Sequence, residues 1–224
     1  PAHGDAIGCA PVLDSDSRVD RPVPVQVRYD PADNRRQVRN TVIHELGHVL
    51  GITHCEEPAW VMASACTGGV PPSPDATERD LAWRDATLAV YVDESNVSAA
   101  ELAETREQVD HALAYVERES PANVTFVWVD DRFSADVTVV FEDEPSCEGS
   151  AVVCYEHRGR DVDGDGRIEY YTAGTISVEP DSDVDARGWY VGWGMANQVS
   201  PANLPPVFED ASYRERRSRW WETN

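Results

Sequence analysis

The stretch HELGHVLGITH, residues 44–54, constrains the fold more than any other part of the chain. His44 and His48 are four residues apart, so on a helix both side chains leave the same face and can bind one ion. Glu45 lies one position further round and can reach a water near that ion without ligating it. Gly51 favours a left-handed turn that ends the helix, so the chain can return and bring His54 to a third ligand position.

Three imidazole ligands leave one coordination position open, which is typical of a catalytic zinc site rather than a structural one. Zinc in such a site lowers the pKa of a bound water to about 7, and a neighbouring carboxylate takes the proton as the water attacks a carbonyl. The motif therefore predicts Zn²⁺ held by His44, His48 and His54, with Glu45 as the catalytic base.

The extended motif resembles that of the metzincin metallopeptidases, which match it at His44, Glu45, His48, Gly51 and His54. Metzincins carry a Met-turn beneath the zinc, and the resemblance implies this role for Met62, eight residues after His54. It also implies hydrolysis of peptide bonds, with a protein or peptide as substrate.

The segment that follows the motif is similar to two metzincin groups. His54-Cys55 followed by Met62 resembles the archaemetzincins, although Trp60 stands where their second Cys is found. The cysteines around Met62 and the later P-x-A-x-E-R sequence resemble the small, secreted snapalysins, although these have Asp as third ligand. The resemblance is specific through residues 25–83 and implies a snapalysin-like or archaemetzincin-like endopeptidase.

The apolar pattern predicts an α+β fold. Period-two alternation predicts strands at 21–29, 88–92, 123–129, 135–141 and 172–180. Helical spacing predicts helices at 33–50 and 99–119, the second starting with a capping box at Ser98–Glu101. Shorter helices are predicted at 76–85, capped by Thr77, and at 214–221. The resemblance implies a mixed twisted sheet, a long helix, an active-site helix and a small irregular C-terminal subdomain.

The order of these elements predicts a division at about residue 85. Metzincins place a sheet and a long helix before the zinc helix, but residues 1–84 hold only an edge strand, the zinc helix, the Met-turn and a closing helix. Residues 85–224 hold the pattern of the missing first half. One interpretation is a truncated tandem with a degenerate second copy. The alternative is a circularly permuted domain, in which 87–180 completes the site.

The tandem interpretation carries an alternative function. A register of 150 residues places Gly194, Met195 and Gln198 opposite the first three motif residues, so the second copy has no ligand set. Residues 85–224 would then be a pseudoprotease, a non-catalytic module that binds a partner or substrate.

A second metal site is predicted from DVDGDGRIEYY, residues 161–171. Asp161, Asp163 and Asp165 occupy positions 1, 3 and 5 of an EF-hand-like loop, and their hard oxygens suit Ca²⁺. Position 12 is Thr172 rather than Glu, so Glu169 would substitute. An acidic turn between strands is the alternative interpretation.

The five cysteines predict an oxidising compartment. Two pairs are close in sequence, Cys55 with Cys66 and Cys147 with Cys154, which predicts two short disulfide loops and leaves Cys9 unpaired. We therefore expect a secreted protein.

The charge balance argues against nucleic acid as a partner and indicates a highly acidic surface. Asp and Glu number 41 against 19 basic residues, all of them Arg, for a net charge of −22. Nucleic acid is excluded as a partner because its phosphates would be repelled. An acid-rich, lysine-free composition resembles that of halophilic proteins, in which salt screens the self-repulsion. The sequence has no run of 18 apolar residues, so no membrane-spanning helix is expected.

Overall fold

The computed structural model describes residues 7–13, 16–17, 21–31, 33–62, 73–143, 152–180 and 182–222. The strands in these ranges are β1 (Gly8–Cys9), β2 (Gln26–Val27), β3 (Thr87–Asp93), β4 (Thr125–Trp128), β5 (Val137–Phe141), β6 (Val153–Arg160) and β7 (Tyr170–Val178). The α-helices are α1 (Arg35–Val49), α2 (Ala59–Met62), α3 (Leu102–Glu119), α4 (Val184–Val199) and α5 (Tyr213–Arg216). Short 3₁₀ turns occur at Ala76–Glu78, Arg132–Ser134, Pro206–Phe208 and Trp220–Glu222.

A five-stranded mixed sheet forms the centre of the fold, in the order β4-β3-β5-β7-β6. The first four strands are parallel, and β6 runs antiparallel to β7 at one edge. Strands β1 and β2 form a separate antiparallel pair. The predicted α+β class with a mixed sheet is confirmed. None of the described helices has both the length and the apolar character that a membrane span requires.

The main core lies where α3 and α4 pack against the sheet. The apolar stripe predicted on α3 is buried at Val109, Leu113 and Val116. These side chains belong to one cluster with Val191 and Met195 of α4 and with buried residues of β3, β5 and β7. Burial of this stripe explains why the long helix forms where its periodicity predicted it.

Helix α4 was not predicted, because three glycines give its sequence a low helix propensity. The glycines serve packing instead. A Cβ on Gly194 would lie 2.7 Å from Ile176 of β7, and one on Gly192 would lie 2.8 Å from Phe208. A Cβ on Gly188 would meet Gln108 of α3 at 2.6 Å. Close approach to the sheet and to α3 therefore outweighs the propensity cost.

Strand β6 was also not predicted from the sequence. Its sequence VCYEHRGR is charged and weakly alternating. An edge strand tolerates such a sequence, since charges on an edge discourage pairing with another chain.

The structure departs from three predicted helix features. The capping box does not form, because α3 begins at Leu102 and the Glu101 carboxylate instead pairs with Arg187 at 3.0 Å. The helix predicted at 76–85 is only the short 3₁₀ turn, in which Thr77 is internal. Residues beyond it extend toward β7: the Tyr171 N–H donates to the Ala82 carbonyl, and Trp83 forms a β-bridge with Tyr171. The helix predicted at 214–221 is present only as α5 and the last 3₁₀ turn.

Helix α1 is joined to the sheet by polar contacts. The Arg36 guanidinium binds both carboxylate oxygens of Asp136, at 2.7 and 3.0 Å, and also pairs with Asp85. The Asn34 side-chain amide donates to the Thr172 carbonyl at 3.0 Å. The division of the chain at about residue 85 stays a prediction.

Replacing Arg36 tests this junction. The side chains of Arg36 and Asp136 are only 12% and 10% exposed. Arg36→Met leaves the Asp136 carboxylate poorly solvated and without its countercharge, so we expect the free energy of unfolding to fall by about 2 kcal/mol or more. Arg39→Met is the matched control, because Arg39 lies exposed on the same helix, and its effect should stay within about 0.5 kcal/mol. Urea denaturation at constant salt measures both, and equal effects would contradict the assigned role of Arg36.

Candidate metal centre

Helix α1 positions the first three motif residues. Its N-terminus is closed by a capping box: the Asn34 side chain accepts from the Gln37 N–H at 2.9 Å, and the Gln37 side chain accepts from the Asn34 N–H at 2.8 Å. The helix ends at Val49, and Gly51 follows with φ +87°. The predicted left-handed glycine is confirmed, and a Cβ there would also lie 2.6 Å from the Leu13 carbonyl oxygen.

The three predicted histidine ligands converge on one point. The Nε2 atom of His54 lies 3.2 Å from Nε2 of His44 and 3.0 Å from Nε2 of His48. Nitrogens at 2.0–2.1 Å from one tetrahedral ion are separated by about 3.3 Å. The cluster His44, His48 and His54 therefore has the geometry to hold a metal ion.

Backbone carbonyls set the orientation of the two helical imidazoles. Nδ1 of His44 lies 2.6 Å from the Val61 carbonyl oxygen, and Nδ1 of His48 lies 2.8 Å from that of Ile52. A carbonyl only accepts, so each Nδ1 carries the proton and each Nε2 directs its lone pair at the shared point. Lone pairs facing each other repel, and a cation between them removes the repulsion.

The local electrostatics favour the neutral form of His44 and His54. The pKa of His44 is lowered, chiefly by burial, and the hydrogen bond to Val61 opposes this only in part. The pKa of His54 is lowered by burial and by the other two histidines. Neutral imidazole is the form that binds a metal ion. His54 is exposed whereas the two helical histidines are buried, so the centre faces solvent on the His54 side.

Glu45 lies beneath the N-terminal strand. Its side chain is 4% exposed, and a Cβ on Gly8 of β1 would lie 2.3 Å from its Oε1. Burial raises the pKa of Glu45, while the charges of His48 and His54 and a hydrogen bond from the Ala10 backbone lower it. The absence of a side chain at residue 8 thus makes room for the predicted catalytic carboxylate.

Met62 packs beneath α1. It is fully buried, and the missing Cβ of Gly47 would lie 2.6 Å from its sulfur. Gly47 is therefore the position at which α1 admits Met62. The sequence motif indicated a Met beneath the site but gave no sign that the second variable position of HELGH must be glycine.

The turn that carries Met62 is itself held in place by residues distant in sequence. The Tyr170 hydroxyl donates to the Trp60 carbonyl, and the Arg84 guanidinium lies 3.5 Å above the Trp60 ring. Val162 and Tyr170 form a small apolar cluster with Ala59 and Trp60. Sequence reasoning missed these residues, because nothing local in their patterns links them to the motif.

The remaining predicted site residues are only partly described. The acidic residues Asp161, Asp163, Asp165 and Glu169 do come together in one group. Cys55 and Cys154 each take part in a disulfide, whereas Cys9 is free and exposed. Cys66 and Cys147 lie outside the described ranges, so the predicted pairing stays a prediction.

Comparison with known proteins gives no assignment. No family model matches the chain, and no curated protein is significantly similar to it. The resemblance to metzincins therefore stays a prediction from the sequence motif.

Gly47→Ala tests the packing of Met62 under the helix. Helix propensity alone predicts that Gly→Ala inside a helix raises stability by about 0.5–1 kcal/mol. Here the new methyl group displaces the Met62 sulfur, so we expect a loss of about 1–3 kcal/mol. Thermal and urea denaturation measure the sign, and an increase in stability would show that Met62 does not need this space.

Metal content tests the histidine cluster. The purified chain should retain about one zinc ion after dialysis against the metal-free buffer. The double variant His44→Ala/His48→Ala should retain almost none at the cluster, because one imidazole alone cannot hold the ion. His111→Ala is the control, since His111 lies on α3 outside the cluster. Mass-spectrometric metal analysis reads the outcome, and zinc retained by the double variant contradicts the assignment.

Proposed function

We propose that the chain carries the catalytic centre of a zinc-dependent endopeptidase. The observation that carries the proposal is the convergence of the three Nε2 atoms beside the buried carboxylate of Glu45. An adventitious group of surface histidines would not have two rings fixed by backbone carbonyls. It would also lack an acid on the same helix at the next position.

The donor set fits zinc. Three neutral imidazoles with one open side match catalytic zinc sites, whereas Ca²⁺ and Mg²⁺ prefer oxygen ligands. Zinc bound there supplies Lewis acidity toward a carbonyl and a water. His44, His48 and His54 hold the ion, and the carbonyls of Val61 and Ile52 keep two of the rings in the ligating tautomer.

Glu45 handles the proton. Its carboxylate lies next to His44 in sequence but is not part of the three-nitrogen cluster, so it stays available as a base. It takes a proton from the attacking water and then returns it to the amine that leaves. Burial outweighs the neighbouring imidazoles and raises the pKa of Glu45, and a more basic carboxylate accepts a proton more readily.

Strand β1 supports a peptide as the substrate. It lies against Glu45, and in the described part of the chain it pairs only with β2. Its other edge can therefore align an extended peptide beside the base by strand addition. The resemblance of residues 25–83 to metzincins supports the same substrate class. The disulfides at Cys55 and Cys154 support secretion, and the acidic, lysine-free composition supports activity in high salt.

The second candidate function is a non-catalytic module in residues 85–224. Three observations on α4 favour a degenerate copy: Gly194 abuts Ile176, Met195 is fully buried, and the Gln198 amide donates to the Glu156 carbonyl. The positions that carry two ligands and the proposed base on α1 are thus used for packing on α4. Both helices also follow an antiparallel strand pair with a cysteine in its first strand, Cys9 in β1 and Cys154 in β6. We infer from this repetition that residues 85–224 are a degenerate copy of the unit that carries the histidine motif.

Glu45→Gln tests the catalytic proposal. The variant should keep zinc, because the three ligands are intact, and should lose about 10²–10⁴-fold in casein hydrolysis measured in molar salt. Glu107→Gln is the control, because Glu107 is exposed on α3. This substitution also removes one negative charge, but far from the motif. Hydrolysis by Glu45→Gln equal to that of the control would rule out Glu45 as the base. A zinc-loaded wild type that cleaves neither casein nor peptides would favour the non-catalytic function.

A further inference from the structure

A second metal-binding group lies in the acidic loop, residues 161–169, which joins β6 to β7. Asp161, Asp163, Asp165 and Glu169 each place a carboxylate oxygen within 4.8 Å of the others. Four carboxylates at such separations repel one another strongly unless a cation lies among them. Exposed acidic clusters are common on a protein of this charge, but one member of this cluster is buried.

Glu169 is that member. Its side chain is 1% exposed, so it is buried beneath the three aspartates rather than solvated. Its Oε2 accepts a hydrogen bond from the Val162 N–H, but its buried Oε1 has no hydrogen-bond partner. Leaving a buried carboxylate oxygen unpaired costs more than leaving an exposed one, because it has lost its water. A cation that accepts this oxygen as a ligand accounts for the burial.

The backbone of the loop holds the aspartates near Glu169. One carboxylate oxygen of Asp161 accepts from the Gly164 N–H at 2.7 Å and the other from the Gly166 N–H at 2.9 Å. Both glycines have positive φ, +82° and +92°, which other residues rarely adopt. The loop therefore turns tightly around its first aspartate.

The ligand set favours Ca²⁺. Calcium accepts six to eight oxygens at 2.3–2.6 Å with flexible geometry, so ligands on opposite sides of the ion lie up to about 5 Å apart. Magnesium demands a smaller octahedron and keeps several waters, so it takes one or two carboxylates rather than four. Imidazole and thiolate donors that would favour zinc are absent from residues 161–169.

We propose that the acidic loop binds one Ca²⁺ through Asp161, Asp163, Asp165 and Glu169. The site is independent of the proposed peptidase activity, because it contains none of the residues of the histidine cluster.

The calcium ion fixes residues 73–76 as well as the loop. The Ser73 N–H donates to Asp163 at 3.0 Å, and the Ala76 N–H donates to the Ile168 carbonyl at 2.7 Å. Arg167 pairs with Asp75 at 2.8 Å. Residues 73–76 are therefore attached to the acidic loop by contacts from three of its residues. Calcium that orders the loop also orders this segment.

Isothermal titration of the zinc-loaded chain with CaCl₂ at constant ionic strength tests the site. The wild type should bind about one Ca²⁺, and Glu169→Gln should weaken the affinity at least about tenfold. Asp165→Asn should weaken it in the same direction, and Asp165 is exposed, so this variant keeps the core intact. Asp110→Asn is the control, because Asp110 is an exposed acid on α3 away from the loop.

Two results distinguish a built site from general attraction to an acidic surface. We expect calcium to raise the melting temperature of the wild type and of Asp110→Asn more than an equal concentration of Mg²⁺ does. Neither Glu169→Gln nor Asp165→Asn should show this difference between the two ions. Equal responses to the two ions, or an unchanged calcium affinity in both loop variants, would show counterion binding only and would overturn the proposal. Neither readout depends on peptide hydrolysis.

Discussion

The hydrogen bonds from His44 and His48 to two backbone carbonyls are the constraint on which the metal centre depends. Each fixes a tautomer, so both helical imidazoles present an unprotonated nitrogen to His54. Neither acceptor lies on α1: Ile52 lies in the turn after Gly51, and Val61 lies in α2. The chain must therefore turn back after Gly51 and again at α2 before both imidazoles are oriented.

This dependence links the centre to the sheet. Val61 lies between Trp60 and Met62, the first held by Tyr170 and Arg84 and the second seated against Gly47. At the other end of α1, Arg36 and Asn34 bind Asp136 and Thr172. Helix α1 is thus attached to the layer formed by β3 to β7 at its own start and through the turn that carries Met62. Changes in that layer should affect the centre through these contacts.

Sequence reasoning succeeded where one local pattern determines the outcome. The ligand spacing, Gly51 and the α3 stripe all depend on periodicity or on a single backbone preference, and the structure places them as predicted. It failed where a residue distant in sequence determines the local conformation. The Glu101 carboxylate binds Arg187 rather than its own helix start, and the segment after Glu78 follows β7 rather than forming a helix. Likewise, α4 tolerates its glycines only because other elements pack closely against it.

Anomalous diffraction on either side of the zinc absorption edge, from crystals of the chain grown with zinc, tests whether one zinc ion lies among His44, His48 and His54 with Glu45 beside it. We expect a zinc peak at about 2.0–2.1 Å from the three Nε2 atoms, with the Glu45 carboxylate outside ligand distance. A peak at another group, a peak with Glu45 as a ligand, or no peak at the histidines would contradict it.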